Sequence, residues 1–301
     1  MGGEGLTRVL NALNRLLSRP DFRSNPFRAI LRRVLWRLRW QATQELWEMT
    51  LPGDVRILVP HVGAGALIYY QGVSEPEVAD FLLRFLRPRM VFLDVGAHIG
   101  EYASMGAKLV APGRVHAFEP IPGVFSLLQR SLALNGLDNV RLNACAVSDK
   151  DGEEQFSVLR EPSFSSLTRG VRPDAFPPEN IVVRSVRLDT YWSEVMNKGR
   201  IDLIKLDIEG AELLALEGAS DLLESTSPVL IVECQPLNLA RFGHGVEAIS
   251  RFLNRAGYSL YEIGLDGKLR ELDAAAGEPS QPNIVAAKDP WWLSEHLREL
   301  V

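Results

Sequence analysis

The chain holds 301 residues, of which 46% are hydrophobic, 24% charged and 8% aromatic, with a net charge of −5. These are globular proportions, and they exclude global disorder, a collagen-like repeat and a disulfide mini-scaffold. No run approaches the roughly 18–20 apolar residues that a transmembrane helix requires.

Charge divides the chain. Residues 1–50 carry nine arginines, no lysine and four acids, a net +5, whereas residues 51–301 carry 24 basic and 34 acidic side chains, a net −10. The asymmetry predicts a basic helical extension over 1–50 and an acidic main domain over 51–301. Arg8, Arg15 and Arg19 interrupt any signal-peptide core, and Cys145 and Cys234 have no CxxC spacing, so a cytoplasmic, reduced chain is expected.

Inside the extension, Phe27, Ile30, Leu31, Val34, Leu35 and Leu38 recur at helical spacing, with Arg28, Arg32, Arg33, Arg37 and Arg39 between them. Pro26 suits the first turn. Two readings stay open: a helix packed on the acidic domain, which is preferred, or an interfacial helix in which residues 27–40 touch the inner face of an anionic membrane. Nucleic acid is not an expected partner, because no aromatic-interleaved basic platform follows. Trp36, Trp40 and Trp47 are read as core or interface aromatics rather than a sugar platform.

From about residue 90, apolar runs alternate with helical stretches, as in a sheet of parallel strands covered on both faces. Strands are predicted at Val91–Val95, Arg114–Glu119, Val140–Val147, Ile201–Asp207 and Pro228–Glu233, and helices at Ile99–Val110, Gly123–Leu134, from Ala211, and Val246–Ala256. Added strands, Glu154–Leu159 and Ile181–Leu188, flank a Pro/Ser-rich loop, Glu161–Asn180, long enough to expect a functional role. Tyr258–Ile263 and Asn283–Ala287 read as final strands, with a turn at Asp266-Gly267.

The first strand runs into Asp94-Val95-Gly96-Ala97-His98-Ile99-Gly100 and a helix. Glycines at such a turn let the backbone approach a ligand closely. The pattern is DxGxxxG rather than the GxGxxG of a dinucleotide site, and Asp94 would repel a pyrophosphate but accept bonds from an amino group. Glu119, at the end of the second strand, is placed to accept bonds from both hydroxyls of a ribose. Acids at both ends of a phosphate-free ligand point to S-adenosylmethionine.

The segments FLDVGAHIG, VHAFEP, LNACAVSD, SFSSL and IDLIKLDIEGAELLALEGA occur in this order. Together they closely resemble the FkbM-type S-adenosylmethionine-dependent methyltransferases over roughly residues 60–288. The resemblance implies an α/β Rossmann-like class I methyltransferase sheet, mostly parallel with a C-terminal antiparallel strand, helices on both faces, and the N-terminal extension outside it. Carried over by position, it implies cofactor contacts at Glu75, Asp94, Gly96, Ala97, His98, Gly100, Tyr102 and Glu119, with adenine near Asn143 and Ala146. It also implies O-methylation of a small-molecule or glycan acceptor, a sugar or secondary-metabolite hydroxyl.

In that fold Asp94, Asp207 and Glu233 end three adjacent strands, at the switch point where ligands bind. Lys205 interrupts an apolar strand, and as a buried ammonium it requires a carboxylate partner such as Asp207, Asp94 or Glu233. An alcohol must lose its proton to accept a methyl group, so Asp207 and Glu209 are the leading general-base candidates and Glu233 the third. Asp207, Glu209 and Glu233 offer oxygens to a divalent cation as well, but no metal is assigned. Glu212 reads as a cap on the following helix, His116 as packed in its strand, and His244 as an outlying base candidate. The Glu161–Asn180 loop, with Ser163–Leu167, and the N-terminal helices are the expected acceptor contacts. Two other functions compete: a nicotinamide-dependent oxidoreductase, opposed by DxGxxxG, and a membrane-associated binding protein without catalysis.

Overall fold

The computed structural model describes residues 22, 25–43, 45–61, 64–158, 166–167, 179–264, 267–272, 279 and 281–298. Helix α1 (Pro26–Ala42) starts where the Asn25 side chain accepts the Arg28 N–H at 2.9 Å, a side-chain cap reinforced by Pro26 in the first turn. A hairpin follows, β1 (Trp47–Leu51) against β2 (Val55–Val59); the boundary expected after residue 50 falls inside β1. Helices α2 (Ala64–Gln71) and α3 (Pro76–Phe85) lead to the central sheet. In α3 the buried Val78, Phe81, Leu82 and Phe85 recur at helical spacing and face that sheet.

The alternating part runs β3 (Val91–Val95), α4 (Glu101–Val110), β4 (Arg114–Phe118), α5 (Pro122–Leu134) and β5 (Val140–Asn143). The strand predicted over Val140–Val147 is split: β6 (Ala146–Val147) leaves the central sheet to pair with β9 (Glu179–Val186). With β7 (Gly152–Val158) and β8 (Ser166–Leu167), these form a separate four-stranded sheet in the order β6-β9-β7-β8. Of the predicted acceptor loop, residues 161–165 and 168–178 lie outside the described residues.

The chain continues through α6 (Leu188–Glu194), β10 (Leu203–Leu206), α7 (Glu212–Glu217), α8 (Ser220–Thr226), β11 (Val229–Glu233), α9 (Pro236–Leu239) and α10 (Val246–Arg255). It closes with β12 (Ser259–Ile263), β13 (Leu269–Glu271), β14 (Asn283–Ala287) and α11 (Pro290–Arg298). The eight-stranded sheet has the order β13-β12-β14-β11-β10-β3-β4-β5. Neighbours from β5 to β11 are parallel, whereas β14 is antiparallel to both β11 and β12, and β13 antiparallel to β12. The C-terminal end thus has two reversed strands where one was expected, the short edge strand β13 being the addition.

Alternate residues of these strands feed two cores. Phe92, Leu203, Val229 and Ile231 pack on one face, and Leu93, Val95, Ile204, Leu206 and Leu230 on the other, the period-two pattern of a sheet covered on both sides. β3, β10 and β11 lie side by side at the centre and bring their carboxyl ends together.

Helix α1 packs on the rest of the chain, as the preferred reading expects, but not through its aliphatic stripe. Ala29, Trp36 and Trp40 are the buried residues, while Phe27 is 78% exposed and Ile30, Leu31, Val34, Leu35 and Leu38 are also exposed. The reason is aromatic area: Trp36 meets Trp40, Trp47 and Tyr69 with ring centroids 5.1–5.5 Å apart, and such rings bury more surface than the aliphatic stripe. The three tryptophans are core, as expected. No helix among the described residues is long and apolar enough to cross a membrane. Trp36→Ala should cost about 3–5 kcal/mol of stability, measured by denaturant unfolding; a loss below about 1 kcal/mol would mean that α1 is not part of the cooperative core.

Candidate active site

The turn after β3 depends on glycine. Gly96 has φ 87°, and a Cβ there would lie 1.9 Å from the Asp207 carbonyl oxygen. Only a residue without a side chain lets the ends of β3 and β10 approach so closely. His98, at φ 48°, donates its N–H to Glu119 Oε2 at 3.1 Å, and Ile121 N–H binds Glu119 Oε1 at 2.8 Å. Burial pulls the His98 imidazole down to about 4, leaving it neutral, and pushes the Glu119 carboxyl up to about 7.

Lys205 lies at the centre of β10 and is 1% exposed. Its Nζ donates to Asp207 Oδ2 at 2.6 Å and stands 4.9 Å from the Tyr102 ring centroid. Lys205 pairs in register with Asp94 on β3. Burial disfavours the ammonium, yet Asp207, Glu75 and Asp94 outweigh it and hold its pKa above the ordinary lysine value. Asp94 is fully buried, and burial pushes it up to about 6 against the pull of Lys205.

The segment after β10 bends sharply. Glu209 has φ 57° and Gly210 φ 107°, and a Cβ on Gly210 would meet the Asn238 carbonyl oxygen at 2.3 Å. Glu212 Oε1 accepts the N–H groups of Ile208 and Gly210 at 2.9 and 3.1 Å; it ties down the turn before α7, where a cap on the helix itself was expected, and that helix has no side-chain cap hydrogen bond. Asn238 Nδ2 donates to Glu209 Oε2 at 2.5 Å. Burial, then the charges of Asp207 and Glu212, raise Glu209 well above the usual carboxylate range. Burial, then Asp207 and Glu209, does the same to Glu233, whose Oε2 has no hydrogen-bond partner.

A hydrogen-bonded chain closes the opposite wall. Glu75 Oε1 accepts from Asn283 Nδ2 at 2.8 Å, and its Oε2 meets the Tyr102 hydroxyl at 3.1 Å. That hydroxyl lies 3.1 Å from Ser74 Oγ, which donates to Glu101 Oε2 at 2.5 Å. Burial, then the negative charge of Asp207, raises Glu75; burial brings Glu101 up to about 7.

These groups surround a cavity of about 490 Å³, a size suited to a small-molecule ligand. Of the expected catalytic set, Lys205, Asp207, Glu209 and Glu233 all line it. Of the expected cofactor set, Glu75, Gly96, Ala97, His98, Tyr102, Glu119 and Ala146 line it as well. Asp94, Gly100 and Asn143 do not. Asp94 is buried behind the wall, in register with Lys205, and neither of its carboxylate oxygens has a hydrogen-bond partner among the described residues; Gly100, at φ 91°, makes room for Leu128; the Asn143 amide is bound to the Ala117 and Arg141 carbonyls. His116 is packed, its Nδ1 2.7 Å from the Tyr191 hydroxyl, and His244 is off the cavity.

Sequence reasoning missed Ser74, Glu101, Asn238 and Asn283. Glu101 alone carried a signal, as an acid in the first turn after the glycine loop; the others join through tertiary contacts only.

Among the described residues the wall holds Glu75, Glu101, Glu119, Asp207, Glu209 and Glu233 against the single lysine, and no arginine. A pyrophosphate would face carboxylates there, whereas a ligand with a sulfonium, an ammonium and a ribose meets complementary groups. The residues therefore fit S-adenosylmethionine and not a dinucleotide. Strand order and a cavity at the carboxyl ends of β3, β4, β10 and β11 define a class I methyltransferase fold.

The family follows from direct comparison. Residues 94–260, more than half of the chain, match the family model described as "Methyltransferase FkbM domain", and the chain belongs to this family of S-adenosylmethionine-dependent methyltransferases. Among its relatives, 31-O-demethyl-FK506 methyltransferase FkbM of Streptomyces tacrolimicus is 28% identical over 165 residues, 45% of this chain and 62% of that protein. The 2-O-methyltransferase NoeI of Sinorhizobium fredii is 28% identical over 156 residues, 46% of this chain and 61% of its own length. The matches thus span about three fifths of these curated relatives. The crystal structure of methyltransferase FkbM from Methylobacillus flagellatus KT aligns with a TM-score of 0.40 at 16% identity, over 74% of this chain and 52% of that one.

Two tests follow from the electrostatics. Lys205→Met leaves buried carboxylates uncompensated and should cost about 3–5 kcal/mol in denaturant unfolding; a neutral result would remove the ion pair from the centre of the site. Glu101, Glu119 and Glu212 each stand near 7 in the folded chain against 4.5 ordinarily. The folded state binds more protons between those values, so their contribution is complete below 4.5 and lost as pH rises through about 7. The ligand-free melting temperature should fall across that window, whereas a rising curve would contradict the assignment.

Proposed function

We propose that this chain transfers a methyl group from S-adenosylmethionine to a hydroxyl oxygen of a sugar, glycan or secondary metabolite, with Asp207 as general base. The observation that carries this reading is the division among the cavity carboxylates. Glu75, Glu209 and Glu233 are all pushed toward their protonated forms, while Asp207 holds the Lys205 ammonium at 2.6 Å. A base must be ionised before it can take a proton. Glu209, the other leading candidate, is ranked below Asp207 on that ground.

The bound cofactor supplies an electrophilic methyl group on a sulfonium. Glu119 would hold the ribose hydroxyls, the backbone from Gly96 to His98 would offer its wall to the cofactor, and the acidic side chains would favour the sulfonium charge. Asp94 acts behind the wall as a buried carboxylate whose charge, like that of Asp207, favours the Lys205 ammonium. Lys205 fixes Asp207 through Oδ2 and leaves Oδ1 for the acceptor hydroxyl. Rigid placement of donor and acceptor supplies much of the remaining rate. Oxygen as the acceptor atom draws support from two relatives named for O-methylation.

The test is methyl transfer from labelled cofactor to a panel of hydroxylated glycans and polyketide alcohols, with and without magnesium. On any accepted substrate, Asp207→Asn should lower turnover by about 10²–10⁴-fold while leaving S-adenosylhomocysteine affinity intact. Glu209→Gln should lose less than about 10-fold. The reverse ranking, or an Asp207→Asn protein that no longer folds, would overturn the assignment and leave the pair a structural tie.

A further inference from the structure

Helix α1 presents two apolar faces, and among the described residues only one has a partner. At about 100° per residue, Ala29, Trp36 and Trp40 cluster on one side, and these are the buried residues. Phe27, Ile30, Leu31, Val34, Leu35 and Leu38 cluster on the opposite side, with exposures of 46–78%. Six large apolar side chains in one line are not a scatter of surface hydrophobes.

The arginines occupy both seams between the two faces. Arg28, Arg32 and Arg39 run along one seam, Arg33 and Arg37 along the other. Several are already anchored. Arg39 stacks on Trp47, with its guanidinium 3.6 Å from the ring centroid, and Arg32 donates to the Tyr70 carbonyl at 3.0 Å. Arg28 and Arg37 stand exposed beside the stripe. The helix contains no acidic residue.

We propose that this face of α1 docks on an anionic lipid bilayer. The stripe enters the headgroup–acyl boundary and the flanking arginines meet the lipid phosphates, the arrangement of an interfacial helix. Charge selects the occupant. A second copy of the chain would set acid-free arginine rows against each other. Residues 1–24 are also net basic, with Arg8, Arg15, Arg19 and Arg23 against Glu4 and Asp21, so that stretch of sequence adds no negative charge to offset the arginines of α1. Residues 51–301 carry −10, so an anionic surface repels the remainder of the molecule and orients it with α1 down. Helix α2, which touches Trp36 through Tyr69, also gives Ala64, Leu67 and Tyr70 to the cavity wall. Docked in this way, the cavity lies one helix away from the bilayer.

The test is flotation of the full chain with vesicles of phosphatidylcholine alone and of phosphatidylcholine mixed with phosphatidylglycerol. The protein should float with the mixed vesicles, less so as salt rises, and poorly with the neutral ones. Leu31→Asp/Leu35→Asp should abolish flotation. Arg28→Gln/Arg37→Gln should weaken it by roughly 25-fold, about five-fold for each arginine lost. Both variants should keep the wild-type melting temperature, since the altered residues are exposed. No flotation, equal flotation on neutral vesicles, or unchanged flotation of either variant overturns the proposal. So does light scattering that finds a dimer broken by Leu31→Asp/Leu35→Asp, without vesicle binding.

Discussion

A buried ammonium ion at the middle of a parallel sheet is the constraint on which the site depends. Lys205 sits where β10 is otherwise apolar, and removing its charge from water is costly unless carboxylates surround it. Asp207 provides the direct partner, Asp94 the facing position on β3, and Glu75 a longer-range charge. Those three acids come from three separate stretches of chain. Satisfying one lysine therefore fixes where β3, β10 and the N-terminus of α3 stand relative to each other.

The backbone around that ion is correspondingly tight. Gly96 touches the Asp207 carbonyl and Gly210 the Asn238 carbonyl, and Glu212 ties down the turn between Ile208 and Gly210. Rigid turns of this kind suit a displacement reaction, in which placement of the reacting atoms matters more than any single acid or base. They also concentrate carboxylates faster than cations, so several are pushed toward neutrality while the cavity as a whole still favours a positive ligand.

Much of this was legible in the sequence. The strands Val91–Val95 and Asn283–Ala287 coincide with prediction to the residue, because buried parallel and mixed strands read as continuous apolar runs. The convergence of Asp94, Asp207 and Glu233 on adjacent strands followed from topology. Other features were not legible. Ser74, Glu101 and Asn283 meet Tyr102 and Glu75 only in three dimensions. Asp94 and Gly100 belong to the glycine motif, yet neither lines the cavity: one is a fully buried carboxylate in register with Lys205 and the other makes room for Leu128. Periodicity in α1 identified an apolar stripe, but it could not say that tryptophans on the other side would occupy the core first.

An acidic, phosphate-excluding cavity organised by Lys205 should take S-adenosylmethionine and refuse a dinucleotide. Calorimetric titration of the purified chain with S-adenosylhomocysteine, beside NAD, tests it most directly. Saturable binding of S-adenosylhomocysteine alone is the predicted result. Binding of NAD, or of neither ligand by a folded protein, would contradict the account.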